Sequence, residues 1–311
     1  MDRRHFGKTC GLLGVAALLR GTLLQAENAS LQAATLRVMT FNIRTGTAAD
    51  GDDCWDNRKE QLGDTIIANA PDLLGLQEVV PFQSEWIAEY LAKKAAAVDA
   101  ESSADIVPPY AHFERTREVN PNQGEAMTIF YRTDRLELVA DDTGTFWLSE
   151  MPDVVGSRSW DTACRRIATW GRFRYKADPT QEFYFFNTHL DHVSKEARLN
   201  GAMLIIERIA KRQKSDVPVM ITGDFNCGES SEPIKAFREV GFLDTYRVVH
   251  PDESNVGTFH GFSGEPNKNK IDYIFATPGV TVESSEILRT NRDGRYPSDH
   301  FPIVASLHWD K

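Results

Sequence analysis

Six short runs along the chain are apolar on consecutive positions, or alternate with a period of two, and are rich in β-branched residues: 36–43, 73–77, 127–131, 183–187, 217–222 and 271–276. The pattern predicts strands, several of them buried on both faces, because a strand with one wet face would alternate throughout. Between them, 57–69 and 194–211 carry helical spacing. In the second, Leu199, Ala202, Met203, Ile206 and Ile209 fall on one face while Lys195, Arg198 and Arg208 fall on the other. The stretch 95–105 is small and polar, and 261–270 is rich in Gly, Pro and Asn, so both read as surface loops. No repeat and no dividing linker interrupts the alternation, and periodicity alone predicts a layered α/β protein.

Residues 1–26 read differently. Arg3-Arg4 precedes an apolar run over 11–19, and Leu24-Gln25-Ala26 offers small-residue cleavage chemistry. Twin arginines before a modest apolar run resemble a twin-arginine export signal, which implies the export machinery as a partner and a periplasmic or extracellular protein. The apolar run is well short of the roughly 20 residues that span a bilayer, so no stable membrane anchor is expected. The rest, 27–311, is expected to be a single domain and a monomer.

The chain has 311 residues, 45 of them acidic and 35 basic, and 41% of them apolar, enough for a large core and too much for disorder. Cleavage after Ala26 removes four basic side chains and one acidic one, taking the formal charge from −10 to −13. Such acidity disfavours a long nucleic-acid footprint, so an enzyme acting on phosphate esters would have to recruit cations locally. Past residue 26 the cysteines are Cys54, Cys164 and Cys227. They are odd in number and lack zinc-ligand spacing, so no disulfide framework is read, although a Cys54 to Cys164 pair stays open.

Chemistry concentrates where the apolar runs stop: Thr40-Phe41-Asn42, Leu76-Gln77-Glu78-Val79, Asn187-Thr188-His189-Leu190-Asp191-His192, Gly223-Asp224-Phe225-Asn226, Ile271-Asp272-Tyr273-Ile274 and Ser298-Asp299-His300-Phe301-Pro302. A carboxylate or imidazole just past a buried strand is held by the sheet and still reaches a cleft, whereas solvated charges sit on helix faces. These blocks, in this order, resemble the endonuclease/exonuclease/phosphatase superfamily over about 36–308, nearly the whole of the chain past residue 26.

That resemblance implies a four-layer α/β sandwich, two mixed β-sheets packed face to face with helices outside. It also implies a hydrolase of phosphoesters. Glu78 and Asp299, helped by Asn42, would hold a hard divalent ion, Mg²⁺ or Mn²⁺, because oxygen-only donors suit such an ion. Asp272 would orient His300, Asp224 would orient or deprotonate the attacking water, and Asn226 would donate to a phosphate oxygen. The base is left open between aspartate and histidine. His189 would stabilise the transition state or protonate the leaving oxygen, with Glu125 bracing it and Arg166, rivalled by Arg165, on the phosphate. Asp191 is expected to cap or turn the chain, with His192 at the rim. Trp55, Trp147, Trp160 and Trp170 are read as core rather than stacking groups, and Arg44 as a possible cleft residue.

The expected activity is that of an exported, divalent-metal-dependent phosphodiesterase acting on nucleic acid or a small phosphodiester. The alternatives are a phosphomonoesterase of sugar or inositol phosphates, a sphingomyelinase-like lipid phosphodiesterase and, last, a silent binding protein. The Gly-Asp-x-Asn block lacks the flanking tryptophan and arginine of inositol phosphatases, and only Phe259 and Phe262 hint at the aromatic hairpin that a lipid enzyme would expose.

Overall fold

The computed structural model describes residues 35–96 and 108–310; the signal expected at 1–26 lies outside them. Strand β1 (Leu36–Asn42) leads through helix α1 (Trp55–Asn69) to β2 (Leu73–Val79), and α2 (Pro81–Ala96) follows. Then come β3 (Tyr110–Phe113), β4 (Ala126–Arg132), β5 (Leu136–Trp147), β6 (Ile167–Tyr175) and β7 (Glu182–His189). Helix α3 (Lys195–Ala210), β8 (Val219–Asp224), α4 (Glu232–Glu239), β9 (Leu243–Asp244) and α5 (Thr245–Val249) come next. The chain ends with β10 (Asp272–Ala276), β11 (Thr281–Ile287) and β12 (Ile303–His308).

The strands form two mixed six-stranded sheets, ordered β11-β12-β1-β2-β4-β3 and β5-β6-β7-β8-β10-β9. On the outer face of the first sheet, Met39, Phe41, Leu74 and Leu76 pack under Leu62 and Ile66 of α1 and Ile87 and Leu91 of α2. On the outer face of the second, Tyr184, Phe186, Val219 and Ile221 pack under Ala202, Ile205 and Ile209 of α3 and Ile234 and Phe237 of α4. Four layers result, and a strand covered on both faces is buried at every position, as β7 is.

The buried stripe of α3 differs from the one the pattern predicts. Ala197, Gly201, Ala202, Ile205 and Ile209 face the sheet, while Met203 is half exposed. Gly201 sets that rotation: a Cβ there would lie 3.3 Å from Leu148 and 3.5 Å from Leu190, so the helix seats on its small residues. Helix α2 follows no clear stripe and was not predicted, and the expected loop at 95–105 begins inside its last turn. No described helix is long and apolar enough to cross a membrane.

Between the sheets lies a buried polar lock. Gln77 Nε2 donates to Asn187 Oδ1 at 2.7 Å and to Thr40 Oγ1 at 3.1 Å, and Thr222 Oγ1 donates to the same Asn187 oxygen at 3.1 Å. Asn187 Nδ2 returns two bonds, to the carbonyls of Leu76 and Thr128. Gly75 is needed here, because a Cβ would stand 2.1 Å from Thr222 Oγ1. The lock sits one or two residues before Asn42, Glu78, His189 and Asp224 in their strands, so it sets how far apart the two sheets hold them.

Candidate active site

Strand register brings the second sheet's share together. His189 is the parallel partner of Asp224, and Asp224 is the antiparallel partner of Asp272, so three polar residues line one row across β7, β8 and β10. In the first sheet the ladder between β2 and β4 breaks between Leu76 and Val79. There Glu78 takes φ +63° in a bulge that turns its carboxylate into the cleft. Asn226, just past β8, has φ +50°, and Arg44, just past β1, has φ +56°. Left-handed backbone at non-glycine residues costs on the order of 1–3 kcal/mol each and persists where the surroundings fix it.

The two sheets meet through Asn42. Its Nδ2 donates to Glu78 Oε1 at 3.1 Å and to Asp224 Oδ2 at 3.0 Å, while its Oδ1 accepts from the Arg44 N–H at 3.0 Å. The amide nitrogen therefore ties the two carboxylates together, while its oxygen accepts one hydrogen bond. Glu78 Oε2 also accepts from the Thr45 N–H at 3.0 Å. Burial opposes charge on Glu78, but His300, Asn42, the Thr45 N–H and Arg44 outweigh it and hold its pKa below the usual value. Asp299 is pushed the other way, by burial first and then, against the pull of His300 and Arg44, by the like charge of Glu78. Two carboxylates that repel each other in a buried cleft, with oxygen donors only, are chemically suited to a hard divalent cation.

Deeper in the row, Asp272 Oδ2 lies 3.0 Å from His300 Nδ1, and His300 Nε2 lies 3.8 Å from Asp224 Oδ2. Burial disfavours the imidazolium, yet Asp272, Asp224 and Asp299 lift His300 to about 10. Burial and then the like charge of Asp272 raise Asp224 to about 7, despite His300 and the bonds from Asn226 N–H and Asn42. His189 is the opposite case. Burial, then Arg166, Arg117 and His300, drives its pKa well below 6.5, so it is neutral. Its Nε2 meets Asn226 Nδ2 at 2.8 Å and Asp224 Oδ2 at 3.3 Å. Asp224, Asp272 and His300 also present ligand atoms within 4.8 Å of one another, a buried group that could hold an ion.

The brace between Glu125 and His189 is not formed. Glu125 pairs with Arg117 at 2.7 Å, and His189 Nδ1, though buried, has no partner among the described residues. Burial raises the Glu125 pKa, with Arg117 resisting. Arg165 pairs with Glu118 at 2.6 Å and donates to the Gly156 carbonyl, away from His189. Arg166 is buried and lines the cleft; its Nη2 meets His192 Nδ1 at 3.2 Å, and its Nε and Nη1 have no partner among the described residues.

Asp191 anchors a turn. Its Oδ1 accepts from the Val193 and Ser194 N–H groups and its Oδ2 from Thr162 Oγ1 and the Ala163 N–H. Ser194, not Asp191, caps α3, through the Ala197 N–H. Cys164 and His192 approach Asp191 closely enough to suggest a metal, but all four hydrogen bonds already engage that carboxylate. Cys54, Cys164 and Cys227 are free thiols. None of the four tryptophans singled out above lines the cleft.

Two residues without a motif prove central. Arg58, 3% exposed, donates to the carbonyls of Ile43, Arg44, Asp53 and Pro297, joining the chain beside Asn42 to the chain before Asp299. Burial lowers its pKa to about 10. Lys270, fully buried, pairs with Asp244 at 2.7 Å under the Tyr273 ring, two residues before Asp272. In the sequence, Arg58 is one more basic residue on a helix and Lys270 the end of a polar loop.

The cleft, about 800 Å³, opens at one end of the sheet sandwich. The Endonuclease/Exonuclease/phosphatase family model matches residues 39–300. The chain belongs to this family. An endonuclease/exonuclease/phosphatase structure from Bacteroides vulgatus is 33% identical, covering 89% of this chain and 100% of that one with a TM-score of 0.76. A mannosyl-6-phosphatase from Bacteroides thetaiotaomicron is 30% identical, covering 88% and 100%, with a TM-score of 0.75. Nocturnin of Drosophila melanogaster is 26% identical over 94% of this chain, which spans 50% of that protein's length. Family members are phosphoesterases and generally depend on a divalent metal, so the chain is read as a phosphoesterase in the fold of its family.

Proposed function

We propose that the protein hydrolyses a small ester carrying a single phosphate, with a divalent ion held by Glu78 and Asp299. The observation that carries this is the charge pairing around the cleft. Arg44 is paired with Asp50, Arg117 with Glu125 and Arg165 with Glu118, whereas among the described residues Arg166 has no carboxylate partner and two unused donors. A buried guanidinium left without acceptors awaits an anion, and its fork fits phosphate oxygens. A polynucleotide would need a track of such sites, so the nucleic-acid part of the sequence expectation is the weaker part. The solved phosphatase relative at 30% identity supports a small substrate as well.

When bound, a divalent ion supplies polarisation of the phosphoryl oxygen and neutralisation of charge there. The chain supplies the rest. Arg166 grips the phosphate while Asn226 keeps its amide on His189 and the Leu190 carbonyl, the attacking water gives its proton to Asp224, and the bond to the leaving oxygen breaks with its electron pair departing on that oxygen. An Asp224 titrating at about 7 is matched to accepting a proton near neutrality. His300, held cationic by Asp272, offsets the charge that develops beside it. His189 is neutral, so it serves as a hydrogen-bond donor to the transition state more readily than as an acid.

Whether the natural ester is a monoester or the diester first expected is decided by assay: phosphate release, and cleavage of a bis-aryl phosphate, by the chain from residue 27 with Mg²⁺ or Mn²⁺. Turnover lost with EDTA and with His300→Ala supports the reading, and chelator-insensitive turnover refutes it. Export is part of the same proposal and rests on Arg3-Arg4. Replacing both by Lys should retain the protein in the cytoplasm, and unchanged export would remove the twin-arginine route.

A further inference from the structure

Beside the row of His189, Asp224 and His300, the cleft has a wall that takes no part in holding phosphate. Phe259, Phe262, Asn267 and Asn269 line it. The Phe259 ring stands edge-on to the His300 ring, 5.0 Å between centroids. Phe262 holds φ +65° with its ring 5.7 Å from the Arg58 guanidinium, so one of its faces is already taken. An aromatic residue in the left-handed region is a costly choice on a loop tip, and it keeps the ring over the cleft.

The loop that carries these groups is built to stay still. The His260 and Gly261 N–H groups donate to the carbonyl of Asp299, and the Asn267 N–H donates to the Phe259 carbonyl at 2.8 Å. His260 stacks on Phe301 at 4.0 Å, and its Nδ1 accepts from the Gly264 N–H. Gly257 admits no side chain, since a Cβ would fall 1.8 Å from the Asn267 carbonyl oxygen. The polar ends are left free. Asn267 Oδ1 accepts from the Asn269 N–H at 3.3 Å, which leaves the Asn267 amide nitrogen unused, and the Asn269 amide lies against Gly228 with no hydrogen-bond partner among the described residues.

Resting on the single-phosphate reading above, we propose that this wall binds the organic half of the substrate and that this half is a pyranose sugar. A pyranose has an apolar C–H face for one ring face and equatorial hydroxyls that both give and take hydrogen bonds, which a side-chain amide satisfies with its N–H₂ and C=O. The wall offers single ring faces beside amides. A nucleobase would want a flat sandwich, and a lipid tail would want a dry surface, which two amides deny it.

The test compares kcat/KM of the wild type on hexose phosphates, glycerol phosphate, nucleoside monophosphates and an aryl phosphate, and repeats it for Phe262→Ala and Asn269→Ala. A site built around hydroxyl hydrogen bonds should favour hexose phosphates over glycerol phosphate by about tenfold or more, and each variant should erase most of that preference through KM. The inhibition constant of inorganic phosphate should stay within about twofold, because neither residue touches the phosphate. Equal loss on every ester, no wild-type preference for a sugar, or preference for a nucleotide would each overturn the assignment while aryl phosphate turnover leaves the parent reading standing. No turnover of any ester would overturn the parent reading itself. Asn269 sits at an exposed position, so its variant tests the wall even if Phe262→Ala does not fold.

Discussion

The two walls of the cleft are finished to different degrees. On the Glu78 side the protein has completed its own bonding: the carboxylate takes N–H groups from Asn42 and Thr45, and Asn42 is tied in turn to Arg44. On the Arg166 side bonds are missing, with Nε and Nη1 of Arg166 and Nδ1 of His189 buried and unpaired. The first wall presents negative charge of the kind that suits a cation. The second presents positive and neutral donors of the kind that suit an anion. Preorganised groups of this kind stabilise charge without having to reorient when it forms.

Variants that remove the groups between the walls should have the largest effect. Asp224→Asn or His300→Ala should lower turnover by about 10³–10⁴, combining proton transfer and charge stabilisation, with the fold retained by circular dichroism. Residual activity within tenfold of wild type would mean the row is not the reaction centre. Glu78→Gln keeps the shape and removes the charge, and should weaken Mn²⁺ binding by about 10–100-fold in electron paramagnetic titrations. Arg166→Lys should cost about 10² in kcat/KM while leaving Mn²⁺ affinity alone, and Arg165→Lys should cost less than about twofold. If Arg166→Lys also weakened Mn²⁺ binding, the walls would not be separate devices.

A smaller effect is expected of Glu125→Gln, less than about tenfold, since its partner is Arg117 and not His189. A loss comparable with His189→Ala would restore the brace implied by the family resemblance. The smallest effect concerns stability. His260 has its pKa lowered from 6.5 to about 4, by burial and then by His300. Between those values the unfolded chain holds a proton that the fold does not, so stability falls as pH drops through that window and loses nothing more from this group below it. Denaturant midpoints from pH 7 to 4 should slope less in His260→Gln than in the wild type.

The strand ends were legible because sheets impose a period and because a polar residue after a buried run is conspicuous: Asn42, Glu78, His189, Asp224 and Asp272 all lie where β1, β2, β7, β8 and β10 end or begin. What they do to one another was not legible. Asn42 turns its nitrogen to Glu78 because the Arg44 N–H claims its oxygen, and Glu125 finds Arg117 because a loop of irregular backbone brings them together. Strands β3, β5, β6, β9, β11 and β12 and helices α2, α4 and α5 escaped as well: β9 is two residues long, β5 is exposed and irregular in its middle, and tertiary packing more than periodicity forms such elements. Arg58 and Lys270 carry no motif because their partners are main-chain carbonyls and one distant aspartate.

The lock of Gln77, Asn187 and Thr222 has one more consequence. Sheets pinned to each other just beneath Asn42, Glu78, His189 and Asp224 resist slipping, so the gap from Glu78 to Asp224 works as a fixed gauge. Loops at the mouth can then change, by drift or by design, while the gauge keeps its setting. Inheritance of chemistry and freedom of diet are thereby stored in different parts of the same chain.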